Sequence, residues 1–393
     1  MEPSKTLSRT EQWLFCLATG FSVAAVVYQQ SMTEAIAAGF QVPAGSLSRL
    51  SVATQLGYGL GLVLGLPLGD LVAPRRLVPG VVGALGLVVV AESAAPSLDV
   101  LTVLCLLAGL LSIGGQLLIA YCAKAFAPEQ RNRVVGGMMS ALFGGLLCAR
   151  VLSGWGAEHI GWRHVYLLAG GLTLLWAVGL ARVLGPVSMC TPPRYGQMLR
   201  RQLGLWRGYP ELRRLALVAA CFFAASNGIW ANVISLAHAT LNWSAGQTGL
   251  LACTSIVALR APQLARRLQR HLHWTGVIAL FGAVLATVSL AGFAIGTHVL
   301  MIVVFFIGCD LCIRSVHVIS QGRVLSLDPA AASRLSSLFM TVFFTGAALG
   351  SWLGGIVARH YGWPGMFLFP LLCAGTGVAL LRLRSGEVRF SPA

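Results

Sequence analysis

The stretch PEQRNRVVGGMMSALFGGLLCARVLSGWGAEHIGW (residues 128–162) recurs in altered form as PAAASRLSSLFMTVFFTGAALGSWLGGIVARHYGW (residues 329–363). A slide of 201 residues superposes the two without a gap. Pro128 then meets Pro329, Arg133 meets Arg334, Gly145 meets Gly346, Gly154 meets Gly355, His159 meets His360, and Gly161-Trp162 meets Gly362-Trp363. Each copy leaves a polar turn, runs apolar and rich in small residues, and closes on Gly-Trp. Because both copies enter from the same side, the chain reads as two parallel repeats, an arrangement expected of a rocking transporter whose site lies between its halves.

The rest of the 393 residues fits a membrane setting. Hydrophobic residues make up 56% and charged residues only 10%, where a soluble domain has roughly a quarter charged, and the mean hydropathy is +0.78. Apolar runs near the ~20 residues that cross the hydrocarbon as a helix lie at about 12–37, 47–68, 77–95, 99–122, 134–157 and 164–184. Six more lie at about 214–236, 246–265, 274–295, 299–321, 335–358 and 365–381. A β-barrel would alternate with period two, and these runs do not. The expected fold is an all-α polytopic membrane protein of twelve transmembrane helices in two six-helix halves, residues 1–184 and 214–393, joined by a linker over 185–213.

The net charge of +16 follows the membrane rather than a nucleic acid. Lys5, Arg9, Arg75, Arg76, Lys124, Arg131, Arg133, Arg266, Arg267, Arg270, Arg323 and Arg334 precede the first span or fall in every second loop, while the alternate loops hold little beyond Arg49, Arg163 and Arg359. By the positive-inside rule both termini are cytoplasmic. The polar start MEPSKTLSRTEQ runs into a span much longer than a signal core, so the first helix is expected to remain. The linker GPVSMCTPPRYGQMLRRQLGLWRGYPELRR sets Leu199, Leu203 and Trp206 at helical spacing against Arg200, Arg201 and Arg207. It reads either as an amphipathic helix on the anionic inner leaflet or as a solvated tether.

No catalytic unit is legible. The ten cysteines are scattered through apolar spans, where they act as small hydrophobes. Cys309-x-x-Cys312 lies inside a helix and lacks the second pair of a zinc set, and His271 and His273 read as solvated loop residues. No metal or cofactor is expected. A G-x-x-x-x-G-K-[ST] phosphate loop is absent, which argues against ATP as the energy source.

Span 10 carries the densest polar signal. From Val299, at 1.5 Å per residue, Asp310 lies ~16 Å in, near the midplane of a ~30 Å core. Asp310, Arg314, His317 and Gln321 are spaced to fall within about 40° of one line on a helix. A lone central charge costs on the order of 2.5–3.5 kcal/mol, so this stripe is expected to face the bundle interior. Asp310 and Arg314 form an i,i+4 pair that either locks the helix or parts during a transport cycle. His317, one turn nearer the cytoplasm, is placed to relay a proton. Tyr28, Gln29, Gln30, Gln55, Tyr58, Gln116, Asn227, Trp230 and Asn232 are the other deep polar residues, and with Gln321 they are the candidate cavity wall. Uncharged hydrogen-bonding groups suit a neutral or weakly amphipathic solute better than a phosphate or dianion.

The segments QLGYGLGLVLGLPLGD with Arg75-Arg76, CARVLSG followed by GWR, and LDP…SRLSSLFMTVFFTGAALGSWLG resemble the major facilitator superfamily, in its drug/proton antiporter-like, arabinose-efflux-permease-like branch. The resemblance spans essentially the whole chain. It implies a secondary transporter of a bacterial inner membrane, a monomer by default, that exports a small organic solute in exchange for protons. Proton-coupled uptake by symport is the alternative, and a non-transporting receptor on the same scaffold is a third reading. The family's loop motif G-x-x-x-D-R-x-G-R-R is kept here only at Asp70, Arg75 and Arg76, and departs at Leu66, Leu71, Ala73 and Pro74. The resemblance assigns these three residues to an inner gate, against the alternative of a topological anchor. Where the superfamily's antiporters carry Gly-Pro in span 5, this chain has Ala149-Arg150. Glu34, at a similar depth in span 1, is the expected counter-charge to Arg150.

Overall fold

The structure, a computed structural model, describes residues 8–126, 128–185, 195–244, 247–248, 250–328 and 331–382. Within them the chain is helical throughout. Eight stretches are long and apolar enough to cross a membrane. The last, Ala332–Arg382, is broken at Gly362 (φ 56°, ψ −143°) and holds two of the expected spans. Spans 1, 2 and 8 run in shorter pieces. These are Arg9–Ala24, Tyr28–Ser31 and Thr33–Phe40, then Ser48–Gly65 and Leu68–Leu71, and a 3-10 segment Leu250–Arg260 leading into Ala261–Leu268. Span 10 is one helix, Val299–Leu327, which continues past the expected end at Gln321.

The internal repeat extends to backbone features invisible in the letters. Span 1 is interrupted at Met32 (φ −106°) and capped by Gln41 in the left-handed region (φ 56°). Span 7, Pro210–Trp230 followed by Val233–Leu241, is interrupted at Asn232 (φ −127°) and capped by Asn242 (φ 53°). Gln41 and Asn242 stand 201 residues apart, as do Gly161 (φ 83°) and Gly362 (φ 56°). A side chain is strained at such φ values, which accounts for glycine before the tryptophan in both copies.

Two bodies of buried side chains follow this division. One runs from Phe15 to Leu184. The other half holds two clusters, with buried residues from Leu212 to Ala374. Helix Tyr195–Gly208 in the linker leans on both: the Tyr195 hydroxyl donates to Leu64 O at 2.8 Å, and Leu205 and Trp206 pack on the second half. Arg200 and Arg207 are exposed. Residues 186–194 and the side chains of Arg201 and Leu203 lie outside the described residues.

Small residues let the helices within each half touch. A Cβ at Gly145 of span 5 would meet Gly20 O at 2.7 Å and Gly20 Cα at 2.8 Å, and one at its repeat mate Gly346 of span 11 would meet Ala220 Cβ at 2.7 Å. Adjacent Gly144 has nothing within 4 Å. Overpacking costs about 1–3 kcal/mol, so Gly145→Val and Gly346→Val should each lower the unfolding temperature and monodisperse yield of the detergent-purified protein. Gly144→Val should leave both near wild type. Equal sensitivity at positions 144 and 145 would contradict this packing.

Candidate transport site

Between the two halves lies a cavity of about 540 Å³, within the range typical of small-molecule sites. At the mid-membrane level it is lined by Gln55, Arg150, Asn227, Asp310 and Arg314. It extends along the walls to Gly69 and Pro74 at the turn between spans 2 and 3, and to Leu325 near the end of span 10. This is the side that carries Arg75 and Arg76, both exposed. Its flanks are apolar and aromatic, with Phe223 of span 7 stacked on Phe343 of span 11 at 3.8 Å between centroids.

Two buried charges from opposite halves meet at the deep end, with a tryptophan between them. Arg150 is 9% exposed and Asp310 4%. The Arg150 guanidinium lies over the Trp230 ring, 4.2 Å from its centroid, and its Nη2 donates to Gln30 Oε1 at 3.2 Å. The Trp230 indole N–H points along the ring edge to Asp310 Oδ1 at a long 3.5 Å, and the Ser255 hydroxyl donates to Asp310 Oδ2. One indole thus offers its negative face to the cation and its positive edge to the anion. Asp310 and Arg314 both act electrostatically on Arg150, the first attracting and the second repelling. A buried charge without a matched partner is costly, and Arg150 draws part of its compensation from the other half through the Trp230 ring.

The stripe on span 10 lines the cavity along its length, with Asp310, Arg314, His317 and Gln321 all on the wall. Among the described residues, however, Asp310 takes its hydrogen bonds from Ser255 and Trp230 rather than from Arg314. The expected intrahelical pair is not what holds it, because span 8 brings a hydroxyl donor to the carboxylate. His317 packs its ring on Phe343 at 4.5 Å, and its Nδ1 has no hydrogen-bond partner. Glu34 does not meet Arg150. It sits half-buried beyond the break at Met32, and Arg150 is met by Gln30 and Trp230 instead.

The uncharged candidates divide. Gln55, Tyr58, Gln116, Asn227 and Gln321 line the cavity, and Gln55 Nε2 donates to Asn227 Oδ1 across the halves at 2.9 Å. The others are buried among helices. Tyr28 stands edge-on to Tyr166, Gln29 donates to Val26 O and Thr54 Oγ1, and Asn232 donates to Gly228 O. Gln30 and Trp230 serve Arg150. Of the gate set, the Asp70 side chain lies outside the described residues. Sequence reading missed Ser255, the aromatic wall of span 11, and Glu92. Glu92 is fully buried near the end of span 3, away from the cavity wall, beside Cys105, Tyr28 and Tyr166. In the letters it falls within the last residues of an apolar run, where a carboxylate ordinarily reaches the headgroups.

The opposite side of the bundle is closed by contacts between halves. Arg359, at the end of span 11, donates to Gly45 O in the turn before span 2 at 2.7 Å. A Cβ on Gly355 would meet Ser48 Oγ at 3.0 Å. Spans 2 and 11 also join along the flank, where Ser337 Oγ donates to Leu62 O at 2.8 Å, Thr341 Oγ1 donates to Gly59 O at 3.2 Å, and Tyr58 stands edge-on to Phe344 at 4.4 Å. A cavity that reaches one end of the bundle while the other end is sealed is the geometry of one state of an alternating-access transporter.

Twelve spans in two repeated halves around such a cavity define a multi-pass transporter, not an enzyme. The Major Facilitator Superfamily profile matches residues 14–321, and the chain belongs to that family. It is 33% identical to the uncharacterized transporter YgaY of Escherichia coli O157:H7 over 97% of this chain and 96% of that protein. It is 27% identical to the probable transporter SCO4007 of Streptomyces coelicolor over 96% of this chain and 87% of that one. Among solved structures it shares its fold with a bacterial homolog of the human lysosomal transporter Spinster in an inward-facing, occupied conformation (TM-score 0.73, 14% identity, 97% of this chain and 98% of that one). The nucleoside transporter NupG, in a mutant form, matches with TM-score 0.73 at 11% identity over 94% of this chain and 100% of that one.

The seal is testable through Arg359. A charge-assisted bond worth about 1 kcal/mol at an exposed site corresponds to about a fivefold change in population. In a background without native cysteines, Arg359→Ala should speed labelling of Gln55→Cys by an impermeant maleimide added from the Gly45 side by about that factor. An unchanged rate would remove Arg359 from the seal.

Proposed function

We propose that the protein moves a small organic solute across a bacterial inner membrane by alternating access, coupled to protons through Asp310. In this reading residues 1–184 and 214–393 rock about the 185–213 linker, both termini are cytoplasmic, and one chain suffices. The closed end then faces outward and the cavity faces the cytoplasm, with Asp70, Arg75 and Arg76 at the inner gate. The observation that carries the proposal is the position of Asp310. It is the carboxylate on the cavity wall among the described residues, and it lies opposite Arg150 of the other half. A proton on Asp310 cancels an attraction between halves, which gives protonation a direct hold on their equilibrium.

Efflux by proton exchange is what the family resemblance implies, and a cationic solute would compete with the proton for Asp310. The neighbourhood of Asp310 favours the other sign. Protonation beside Arg150 and Arg314 leaves net positive charge in the cavity, so an anionic solute and the proton would bind in each other's company and travel together.

In proteoliposomes, Asp310→Asn should abolish solute accumulation driven by a pH gradient of either sign while counterflow of labelled solute persists. A membrane-inserted Asp310→Asn protein that still concentrates solute against a gradient would eliminate Asp310 as the coupling residue.

A further inference from the structure

We infer that the transported solute is an organic monoanion with an apolar body, its charged group received by Arg150 and its body laid against the aromatic wall of spans 7 and 11. The inference rests on the transporter reading above and deepens it to a substrate class.

The charges on the wall point that way. Among the described residues the cavity is lined by two guanidiniums, Arg150 and Arg314, and one carboxylate, Asp310. Both oxygens of Asp310 already accept from Ser255 and Trp230, so a cation would have to displace these donors and approach past Arg150. For an anion the acceptor-seeking group is already in place. Arg150 makes a single hydrogen bond, to the neutral amide of Gln30, and its Nε has no acceptor. The cation–π contact with Trp230 consumes no acceptor, so guanidinium N–H groups beyond the one given to Gln30 remain for pairing with a carboxylate or sulfonate. Gln55 Oε1 on the wall and Gln30 Nε2 behind Arg150 are likewise buried without partners, so the surroundings of Arg150 hold hydrogen-bonding capacity that the protein does not itself use. Each such group costs free energy until it is matched.

Size and shape narrow the class. A volume of about 540 Å³ accommodates a ring-sized body, and Phe223, Phe343, Phe344 and Met340 offer it apolar surface. A phosphate or other dianion would meet too few cations, since Asp310 opposes one of them.

Among the described residues the charged or titratable groups around Asp310 are Arg150 from span 5 and Cys309, Arg314 and, further along the same wall, His317 from its own helix, with span 7 and span 8 contributing the neutral Trp230 and Ser255. A deprotonated Asp310 repels an incoming anion at Arg150. A protonated one does not, so anion binding is expected to strengthen as pH falls.

The full chain in detergent provides the test, with three ligands that share a phenylalkyl body and carry an anionic, a neutral and a cationic head group: phenylbutyrate, phenylbutyramide and phenylbutylammonium. Their apparent affinities are read from the saturable rise in unfolding temperature. Phenylbutyrate should bind about tenfold more tightly than either partner, the ratio that one charge-assisted pairing supplies. Arg150→Gln should erase the ratio, and Arg150→Lys, which keeps the charge without the fork, should keep part of it. If Arg150→Gln is not monodisperse, Arg150→Lys is read in its place against wild type. Equal or tighter binding of the amide or the ammonium, no binding by any of the three, or a preference intact in Arg150→Gln would overturn the inference. The coupling reading fails separately. An anion preference in a protein whose Asp310→Asn variant still concentrates solute leaves the anion site standing, and gradient-driven flux with a cation preference removes the anion site alone.

Discussion

The structure turns on two charges that the membrane interior should not tolerate and that face each other across the two halves. Arg150 belongs to span 5 and Asp310 to span 10, and the Trp230 indole between them gives its face to one and its N–H edge to the other. Taking such groups out of water costs several kcal/mol each. Gln30 compensates Arg150 and Ser255 and Trp230 compensate Asp310 within their own halves, while the contact of Arg150 with Trp230 adds to this only where the halves meet. The joint is therefore conditional, which is what a protein with two accessible states requires. A salt bridge in direct contact would hold the halves more firmly; an indole spacer weakens the attraction and leaves both ions within reach of a solute.

Around this joint each half is closely packed within itself. Within each half, glycine and alanine bring backbones into contact, as at Gly145 on Gly20 and Gly346 on Ala220, and packing of that kind does not slide easily. Between halves, beside the Tyr58–Phe344 and Arg150–Trp230 contacts, run hydrogen bonds to carbonyl oxygens from Ser337, Thr341 and Arg359 and the Gln55–Asn227 pair. Such bonds can be exchanged for water or for new partners at little net cost.

The architecture was legible in the sequence because its two determinants leave period-independent marks. Apolar run length reports a crossing, and the duplicated small-residue surface around Gly145 and Gly346 reports which crossings are equivalent. The polar stripe on span 10 was legible because helical spacing alone puts Asp310, Arg314, His317 and Gln321 on one side. Partners across helices were not. Glu34 and Arg150 were matched on depth, yet depth says nothing of azimuth, and the interruption at Met32 carries Glu34 away from the joint. Ser255 sits in an apolar stretch with nothing in the letters to aim it at Asp310. The aromatic wall of span 11 carries no mark in the letters, since phenylalanine serves lipid-facing and cavity-facing surfaces alike. The Gln41–Asn242 correspondence was hidden because it is carried by backbone conformation rather than residue identity.

The central claim is that attraction across the Arg150–Asp310 joint keeps the outer end closed and that a proton on Asp310 releases it. Ala38 and Ala239 are exposed, repeat-equivalent positions on the helices Thr33–Phe40 and Val233–Leu241 of spans 1 and 7, and spin labels there report the separation of the halves. With the ten native cysteines replaced, double electron–electron resonance on Ala38→Cys/Ala239→Cys in liposomes should show the distance distribution lengthen as pH is lowered. Adding Asp310→Asn should give the longer distribution at every pH. A distribution that ignores both pH and the Asp310→Asn substitution would contradict the account.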